Sequence, residues 1–217
     1  MRKQPTLLLE NLIRNRNIDT KKLHERAAEV TWQRLLLAAM EAFSKKGYHN
    51  SNIRDLAKEA GVTKGAFYHH FRDKKDIFIS ANRWRQGYTT EVLRNALSGQ
   101  EDFFEGLRKG FHELFRILHR NPMIRGLVRE YMAMAMTDQD VNKMYRQNDA
   151  ELIELLRGEL KRHFPGLSTG KRTSLLQRFY VSLEGLFTVL IVGSPILTTP
   201  ERMLDGLLES FRQEAMQ

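Results

Sequence analysis

Apolar residues recur every three or four positions along most of this chain, which is the spacing of one face of an α-helix. One stretch shows the pattern clearly: Phe104, Leu107, Phe111, Leu114 and Leu118. Alternating β-branched runs closed by Asn-Gly turns, the usual sign of β-hairpins, are absent from the sequence. The spacing therefore predicts an all-α fold.

Capping residues and glycines divide this pattern into separate helices. Asn52 followed by Asp55 has the spacing of a capping box, Thr63 precedes a second short helix, and Asp73 precedes a longer one. The predicted helices cover about 23–46, 53–60, 64–71, 74 onward, 104–120, 123–136, 141–163, 171–192 and 200–215. The N-terminal helices are short and the C-terminal ones are long, so we expect two helical domains.

The positive charge is concentrated near the N-terminus. The chain has 217 residues and a net charge of +9, and the first 80 residues contribute +7 of it, with 16 Lys and Arg against 9 Asp and Glu. This asymmetry favours a polyanionic partner for the N-terminal part, although many soluble domains carry a similar charge. The charge alone leaves both interpretations open.

Several classes of protein are disfavoured by composition. The chain has no cysteine, which excludes disulfides and thiolate metal sites. Its longest apolar-rich stretch, 186–197, is shorter than the ~18 residues of a membrane span, and its start lacks the apolar region of a secretory signal. We therefore expect a cytoplasmic protein that does not enter a membrane.

Residues 51–71 have the dimensions of a helix-turn-helix, with Gly61 in the turn. At 100° per residue, Phe67 and Phe71 point toward the preceding helices. The opposite side of the second helix is expected to hold Lys64, Gly65, Tyr68 and His69. Such a face suits the DNA major groove, which admits one α-helix. The alternative is a helical hairpin with a solvated polar face.

A run of residues across this region strongly resembles the DNA-binding domain of tetracycline-repressor (TetR) family regulators. The matching positions are 34–39, Phe43, Gly47, Tyr48, Ser51, 53–57, 60–71 and Lys74. The resemblance covers about residues 32–78. It implies an all-helical homodimer in which the second helix of the helix-turn-helix reads a palindromic operator. It also implies that the larger C-terminal domain dimerises and binds an inducer.

The resemblance also implies which residues contact DNA. They are Thr63, Lys64, Gly65, Tyr68, His69, His70 and Lys74, with Ser51 and Arg54 as further candidates. Ala66 departs from the pattern, because relatives often carry Thr or Ser there. The helical-face arithmetic turns His70 away from DNA, whereas the family pattern places it on a phosphate, and we follow the family pattern.

We divide the chain into residues 1–30 as an N-terminal arm or extra helix, 31–78 as the DNA-binding domain, and 79–217 as the regulatory and dimerisation domain. The first segment is surplus to the family pattern. Its basic residues either enter the minor groove or belong to a disordered arm: Arg2, Lys3, Arg14 and Arg16.

The last two helices match the family's dimerisation pair in position. The residues expected at the dimer interface are Phe179, Leu183, Leu186, Phe187, Leu190, Leu204, Leu207, Leu208 and Phe211. The alternative is that these residues form the core of a single protomer. The residues named as candidate ligand contacts are His112, Arg116, Tyr131, Met132 and Glu184.

The sequence thus predicts a transcriptional regulator, in particular a repressor that binds a palindromic operator as a dimer and is released by a small, largely apolar ligand. The alternative is a helix-turn-helix protein without such an inducer, acting as an architectural or partner-regulated factor. No phosphate-binding glycine loop, Gly-x-Ser-x-Gly turn or His-Glu-x-x-His motif is present. We expect no enzymatic activity, no cofactor and no metal.

Overall fold

A computed structural model describes residues 20–194 and 199–216 of the chain, and it confirms the all-α prediction. Over these residues the chain forms nine helices and no β-strand. The helices are α1 (Thr20–Lys46), α2 (Ile53–Glu59), α3 (Lys64–His70), α4 (Lys74–Leu97), α5 (Phe103–Arg120), α6 (Pro122–Ala135), α7 (Gln139–His163), α8 (Thr169–Val192) and α9 (Pro200–Met216). The predicted arm residues Arg2, Lys3, Arg14 and Arg16 lie outside the described residues.

The chain divides into two compact units that meet between Ala81 and Asn82, whereas the sequence analysis placed the boundary after residue 78. The N-terminal unit contains α1, α2, α3 and the first turns of α4. Its core is aromatic and aliphatic, and it includes Leu35, Ala39, Phe43, Leu56, Phe67, Phe71, Ile77 and Phe78, all fully or nearly buried. These side chains hold the two short helices in place, since helices of seven residues are not stable alone.

The helix caps that the sequence predicted are present in this unit. The backbone N–H of Asp55 donates to Asn52 Oδ1 at 2.9 Å, and Asn52 Nδ2 donates back to Asp55 Oδ2 at 2.8 Å. Thr63 Oγ1 accepts from the N–H of Ala66 at 3.1 Å, and Asp73 Oδ1 accepts from the N–H of Asp76 at 2.8 Å. Each cap satisfies a backbone donor that the first turn of a helix leaves free.

The turn between α2 and α3 requires a glycine. Gly61 has φ +65°, in the left-handed region, and its N–H donates to Lys58 O at 3.0 Å. The N–H of Val62 donates to Ala57 O at 2.9 Å, which completes a Schellman motif. A Cβ at position 61 would also lie 2.5 Å from a guanidinium nitrogen of Arg34. This turn sets the direction in which α3 leaves α2.

The C-terminal unit is a bundle built from the rest of α4 and from α5 to α9. Its core is rich in phenylalanine: the rings of Phe179 on α8 and Phe211 on α9 stack at 4.4 Å between centroids. Phe111 on α5 meets Phe179 edge-on at 5.8 Å. Three helices therefore share one aromatic centre, and Gly193, at φ +75°, ends α8.

The predicted dimer-interface residues are instead core residues of the protomer. Seven of the nine are buried within the single chain: Phe179, Leu183, Leu186, Leu190, Leu204, Leu208 and Phe211. Phe187 and Leu207 are partly buried and pack against the same core. Within the single protomer, α8 and α9 direct these larger apolar side chains at α5 and at each other, and their part in a dimer interface stays a prediction.

Helix α8 is also apolar on its outer side. Among the described residues, it is the helix long and apolar enough to cross a membrane, with a mean hydropathy of 1.5, and 39% of that stretch is buried in the protein. Val181 is 70% exposed and Val192 is 69% exposed. Packing in the bundle accounts for one apolar face of α8. It does not account for the two valines that the protomer leaves exposed.

Candidate nucleic-acid interface

Helix α3 presents one polar face and one buried face, as the sequence predicted. Phe67 is completely buried, whereas the next residue, Tyr68, is 49% exposed. Lys64, Gly65 and His69 are also exposed. The Lys64 ammonium lies 5.7 Å from the centre of the Tyr68 ring, so the cation and the phenol share one patch of surface. Three hydrogen-bonding side chains and one glycine are thus brought together on the outward face of α3.

Neither steric crowding by the described residues nor a positive φ angle requires glycine at position 65. It is helical, and a Cβ built there would meet only Thr63 Oγ1, at an ordinary 3.7 Å. A glycine inside a helix costs about 0.5–1 kcal/mol relative to alanine. No contact among the described residues offsets that cost, which points to a gain from a bound partner. A close approach of the α3 backbone to base edges is such a gain.

The residues at the two ends of α3 are placed for contacts with the phosphate backbone of DNA. Thr63 uses its hydroxyl oxygen to cap the helix and keeps its hydroxyl proton available as a donor. His70 is half-buried, and burial, followed by the charge of His69, lowers its pKa while Glu29 opposes the shift. The lowered pKa favours a neutral ring, which can still donate one hydrogen bond to a phosphate oxygen.

Lys74 is not a free phosphate contact in this structure. Its ammonium donates to Tyr48 O at 2.7 Å and to Ser51 O at 2.8 Å, with a longer contact of 3.4 Å to His49 O. It also lies 4.3 Å from the Tyr48 ring centre, and burial lowers its pKa. An ammonium has three donors, and all are directed at the loop between α1 and α2. Lys74 therefore positions that loop.

Ser51 is likewise unsuited to the role predicted for it. Its side chain is buried, and its hydroxyl donates to Gly47 O at 2.8 Å. Arg54 differs, because it is exposed on α2 and has no partner among the described residues. The predicted DNA contacts thus separate into an exposed set on α2 and α3 and two residues, Ser51 and Lys74, that hold the helix-turn-helix together.

The candidate ligand contacts fall in different places in the C-terminal unit. His112 Nε2 lies 2.7 Å from Asp205 Oδ1, and the Arg116 guanidinium pairs with Glu113 along α5. Both are partly exposed pairs. Met132 packs against the apolar core. His112 and Arg116 lie one turn apart on α5, and Met132 lies on α6.

Tyr131 and Glu184 do belong to one site, which includes residues that the sequence analysis missed. Arg85 on α4 places its guanidinium carbon 5.6 Å from the Tyr131 ring centre, and burial lowers the pKa of Arg85. Tyr145 Oη donates to Glu184 Oε2 at 3.1 Å. One sequence signal for this site was available: Arg85 falls one turn after Ala81, on the buried face of α4.

A polar cleft of about 390 Å³ lies beside this site, between α4 and α7. Charged and amide side chains line it, among them Arg83, Arg94, Glu151 and Asn148. Asn148 Nδ2 also donates to Tyr131 Oη at 3.0 Å, so one residue of the cleft wall contacts the buried site. The cleft gives that site a neighbouring opening to solvent.

Comparison with known sequences identifies the N-terminal unit. The sequence profile described as "Bacterial regulatory proteins, tetR family" matches residues 35–81. An uncharacterized HTH-type transcriptional regulator of Bacillus subtilis, YvdT, is 25% identical over 183 residues, which cover 80% of this chain and 94% of that protein. The HTH-type transcriptional repressor BepR of Brucella suis is 50% identical over 54 residues, covering 25% of each chain. The higher identity is thus confined to a stretch the length of one small domain.

Comparison with solved structures extends the similarity to most of the chain. The Bacillus subtilis regulator FadR in complex with stearoyl-CoA superposes with a TM-score of 0.70 at 19% identity, covering 83% of this chain and 97% of that one. A transcriptional regulator from Saccharomonospora viridis in complex with choline superposes with a TM-score of 0.67 at 18% identity, covering 82% and 93%. These likenesses show a shared fold. Together with the sequence match and the helix-turn-helix, they show that residues 35–81 form a DNA-binding domain of the tetR family of bacterial regulatory proteins, within a chain that has the fold of solved transcriptional regulators.

Proposed function

We propose that this regulator is a repressor that binds a near-palindromic operator as a homodimer and leaves it when a small molecule binds the C-terminal domain. The observation that carries the proposal is the division of α3 into a buried face anchored by Phe67 and an exposed face of Lys64, Gly65, Tyr68 and His69. In a helix-turn-helix dimer, two such faces enter major grooves separated by about one helical turn or a small multiple of it.

The homodimer is supported by the outer face of α8 and α9. In addition to Val181 and Val192, Met203 on α9 is 50% exposed, and these side chains lie outside the protomer core. Gly185 lies one turn after Val181, and a Cβ there would meet nothing within 4 Å. We define these four residues as the outer stripe. A second copy of the chain packing on it would cover apolar surface and approach the backbone at Gly185 closely.

The comparisons support a response to a small molecule, but they do not give its chemical class. One protein of this fold binds stearoyl-CoA and another binds choline. Those ligands differ in size and in charge, so the ligand class for this chain has to be inferred from its own residues. A ligand shifts the equilibrium between two dimer conformations only by its difference in affinity for them.

Selection of an operator from random duplexes, followed by binding measurements at physiological salt, tests the DNA-binding part of the proposal. We expect Lys64→Ala to reduce the preference for the selected operator over other duplexes, because lysine at the start of α3 reaches base edges. Tyr68→Phe is expected to weaken all duplexes by a similar factor, because a phenol hydroxyl donates to phosphate oxygens.

Equal affinity of the wild-type protein for the selected and scrambled duplexes would rule out a sequence-specific repressor. If Lys64→Ala and Tyr68→Phe both lowered affinity uniformly, the assignment of Lys64 to base recognition would be wrong. A search for compounds that release the operator tests the remaining part. Failure of every compound class would favour the architectural or partner-regulated alternative.

Gly65→Ala is expected to stabilise the protein and weaken operator binding at the same time. The helix gains about 0.5–1 kcal/mol, because alanine is the better helix former and no neighbour obstructs its Cβ. Operator binding loses about 1–3 kcal/mol, the usual cost of one lost base-pair contact. Urea denaturation and a fluorescence-anisotropy titration measure the two effects.

Gly158→Ala on α7 is the matched control, since a Cβ there also meets nothing within 4 Å. It should stabilise the protein without changing operator affinity. If Gly65→Ala behaved like this control, the α3 backbone would not approach the bases closely.

A further inference from the structure

A cluster of polar side chains occupies the interior of the C-terminal domain, and neither the DNA-binding residues nor the apolar core accounts for it. Four helices contribute to it. We define the Arg85 cluster as Arg85 on α4, Tyr131 on α6, Tyr145 and Asp149 on α7, and Tyr180 and Glu184 on α8. A cluster of this kind costs free energy to bury, so a function for it has to be considered.

Aromatic rings form one wall of the cluster. The Arg85 guanidinium carbon lies 5.6 Å from the Tyr131 ring centre, within the roughly 6 Å at which a cation is attracted to an aromatic ring. The Tyr145 ring follows, 5.5 Å from that of Tyr131 and inclined at 34°. The two rings line a surface that suits a flat or compact organic cation.

Carboxylates adjoin these rings. Glu184 accepts a hydrogen bond from Tyr145 Oη at 3.1 Å, and the Tyr180 hydroxyl faces both Glu184 and Asp149. Burial raises the pKa of Glu184 and of Asp149. Among the described residues, no Lys or Arg nitrogen lies within 4.0 Å of either carboxylate. Two half-buried acids are therefore left without a direct ion pair among the described residues.

The charge of Arg85 acts on Glu184, but among the described residues Arg85 forms an ion pair with neither acid. Its hydrogen-bond partner among the described residues is the side chain of Gln86, at a long 3.5 Å. The Arg85 guanidinium thus rests on an aromatic ring and acts electrostatically on Glu184 without forming an ion pair with it. This arrangement is expected if the Arg85 side chain fills a site in which a free cation could pair with the carboxylates directly.

We propose that the Arg85 cluster is the binding site for an organic cation with an aromatic or apolar body, and that the Arg85 guanidinium occupies this site in the present structure. The inference rests on the proposed function, since it names the class of the small molecule that releases the operator. The ligand places its charge between Glu184 and Asp149 and its body against Tyr131 and Tyr145. Arg85 gives way to it.

The charges of the cluster exclude other ligand classes. An anion would approach two carboxylates and a single guanidinium, and it would have to be desolvated beside them. A neutral ligand would leave both acids unpaired. Only a cation supplies the missing ion pair and also uses the aromatic wall. Because Arg85 belongs to α4, its displacement changes the packing of the helix that begins at Lys74 in the DNA-binding domain.

Three compounds of nearly the same shape and different charge test the inference: benzamidine is a cation, benzamide is neutral and benzoate is an anion. We expect benzamidine to raise the Tm of the full-length protein and to give a calorimetric binding signal, and the other two to give neither. Equal binding of benzamide would identify an apolar pocket instead. Stronger binding of benzoate would identify an anion site at Arg85. Either result would overturn the inference.

Substitutions locate the binding. Glu184→Gln keeps the shape of the side chain and is expected to lower benzamidine affinity by about tenfold or more, because it removes a buried ion-pair partner. Glu154→Gln is the matched control, since this residue is an exposed acid of α7 paired with Arg157. It should leave the affinity unchanged. Equal effects of the two substitutions would place the cation elsewhere.

Arg85→Met gives the most distinctive result. If Arg85 competes with the ligand, its removal raises benzamidine affinity, whereas an Arg85 that holds the ligand would make the affinity fall. Since this position is in the domain interior, circular dichroism must first show that the variant is folded. If it is unfolded, the comparison of Glu184→Gln with Glu154→Gln decides the inference.

The pH dependence of binding provides an independent check. Glu184 faces Arg85, Tyr145, Asp149 and Tyr180. The raised pKa values of Glu184 and Asp149 mean that a cation binds most tightly once both acids have lost their protons. Benzamidine affinity should therefore increase as pH rises through those pKa values, and benzamidine stays protonated throughout. An affinity that falls over this interval would contradict the inference.

The same preparations separate this inference from the proposed function. A protein that binds its operator but neither binds benzamidine nor is released by it would disprove the cation site and leave the repressor intact. Specific binding of benzamidine at Glu184 in a protein without operator preference would support the cation site and disprove the repressor.

Discussion

Phe67→Ala is expected to abolish operator binding by unfolding the N-terminal domain while the C-terminal domain stays folded. Phe67 is completely buried between the helices of the N-terminal domain, and its ring lies 5.7 Å from that of Phe71. Removal of a buried phenyl ring costs about 3–5 kcal/mol. That cost is comparable with the whole stability of a small domain, which is about 5 kcal/mol at the lower end.

The two tryptophans of the chain allow this unfolding to be measured by domain. Trp32 lies in the N-terminal domain with its ring 6.3 Å from that of Phe71, and Trp84 lies in the C-terminal unit. In a Trp84→Phe background, fluorescence therefore reports on the DNA-binding domain alone. We expect the urea midpoint of the Trp32 signal to fall sharply in Phe67→Ala, with little change in the main circular-dichroism transition.

Tyr68→Ala is the matched control, because it removes a ring from the next residue of the same helix, where the side chain is 49% exposed. It should weaken DNA binding and leave the Trp32 transition near its wild-type position. A Phe67→Ala protein with an unchanged Trp32 transition would mean that α3 is not held by this ring. Its outward face would then have no defined orientation.

The helix-turn-helix could be predicted from sequence because its signals are local. Asn52, Thr63 and Asp73 each cap a helix through a hydrogen bond to a residue three positions away, so chain spacing alone is sufficient. The orientation of α3 follows from Phe67 and Phe71, which recur at helical spacing. The hydrogen bonds of Lys74 and Ser51 could not be predicted in this way. Their partners are backbone carbonyls in the loop after α1, and tertiary structure decides which donors remain free.

The Arg85 cluster could not be predicted as a unit, since its members come from four helices separated by up to 99 positions, between Arg85 and Glu184. Tyr131 and Glu184 were identified individually as candidate ligand contacts, but nothing in the sequence joins them. Their proximity depends on how α6, α7 and α8 pack. The sequence predicted a largely apolar ligand. The proposed site adds a requirement, because its ligand carries a positive charge as well as an apolar body.

Helix α8 has two apolar faces, and the dimer residues were predicted on the one that the protomer core buries. Leu183 and Val181 each belong to an apolar stripe at helical spacing. Judged by hydrophobicity alone, the larger leucines are favoured both for a protomer core and for a subunit interface. The structure places Leu183 in the core and leaves Val181 70% exposed. A core needs large side chains to fill its volume, whereas a close helix–helix contact between subunits tolerates small ones. The outer stripe is therefore the better candidate for the interface.

Val181→Glu is expected to convert the proposed dimer to a monomer without unfolding the protomer. In a two-fold dimer every substitution occurs twice, so the interface would have to bury two additional carboxylates. An unpaired buried charge costs about 3 kcal/mol or more, which corresponds to an increase of about 100-fold or more in the dimer Kd. Operator affinity falls with it, because two half-sites are no longer bound together.

Sedimentation velocity over a range of concentrations measures the shift, and thermal unfolding at high concentration checks the protomer. Ala150→Glu adds the same charge at an exposed position of α7 and should remain dimeric. Leu183→Ala should instead lower the free energy of unfolding by about 2–5 kcal/mol, because it removes a core side chain. If Val181→Glu remained dimeric while Leu183→Ala dissociated without losing stability, the leucine face would be the interface after all, and the outer stripe would need another partner.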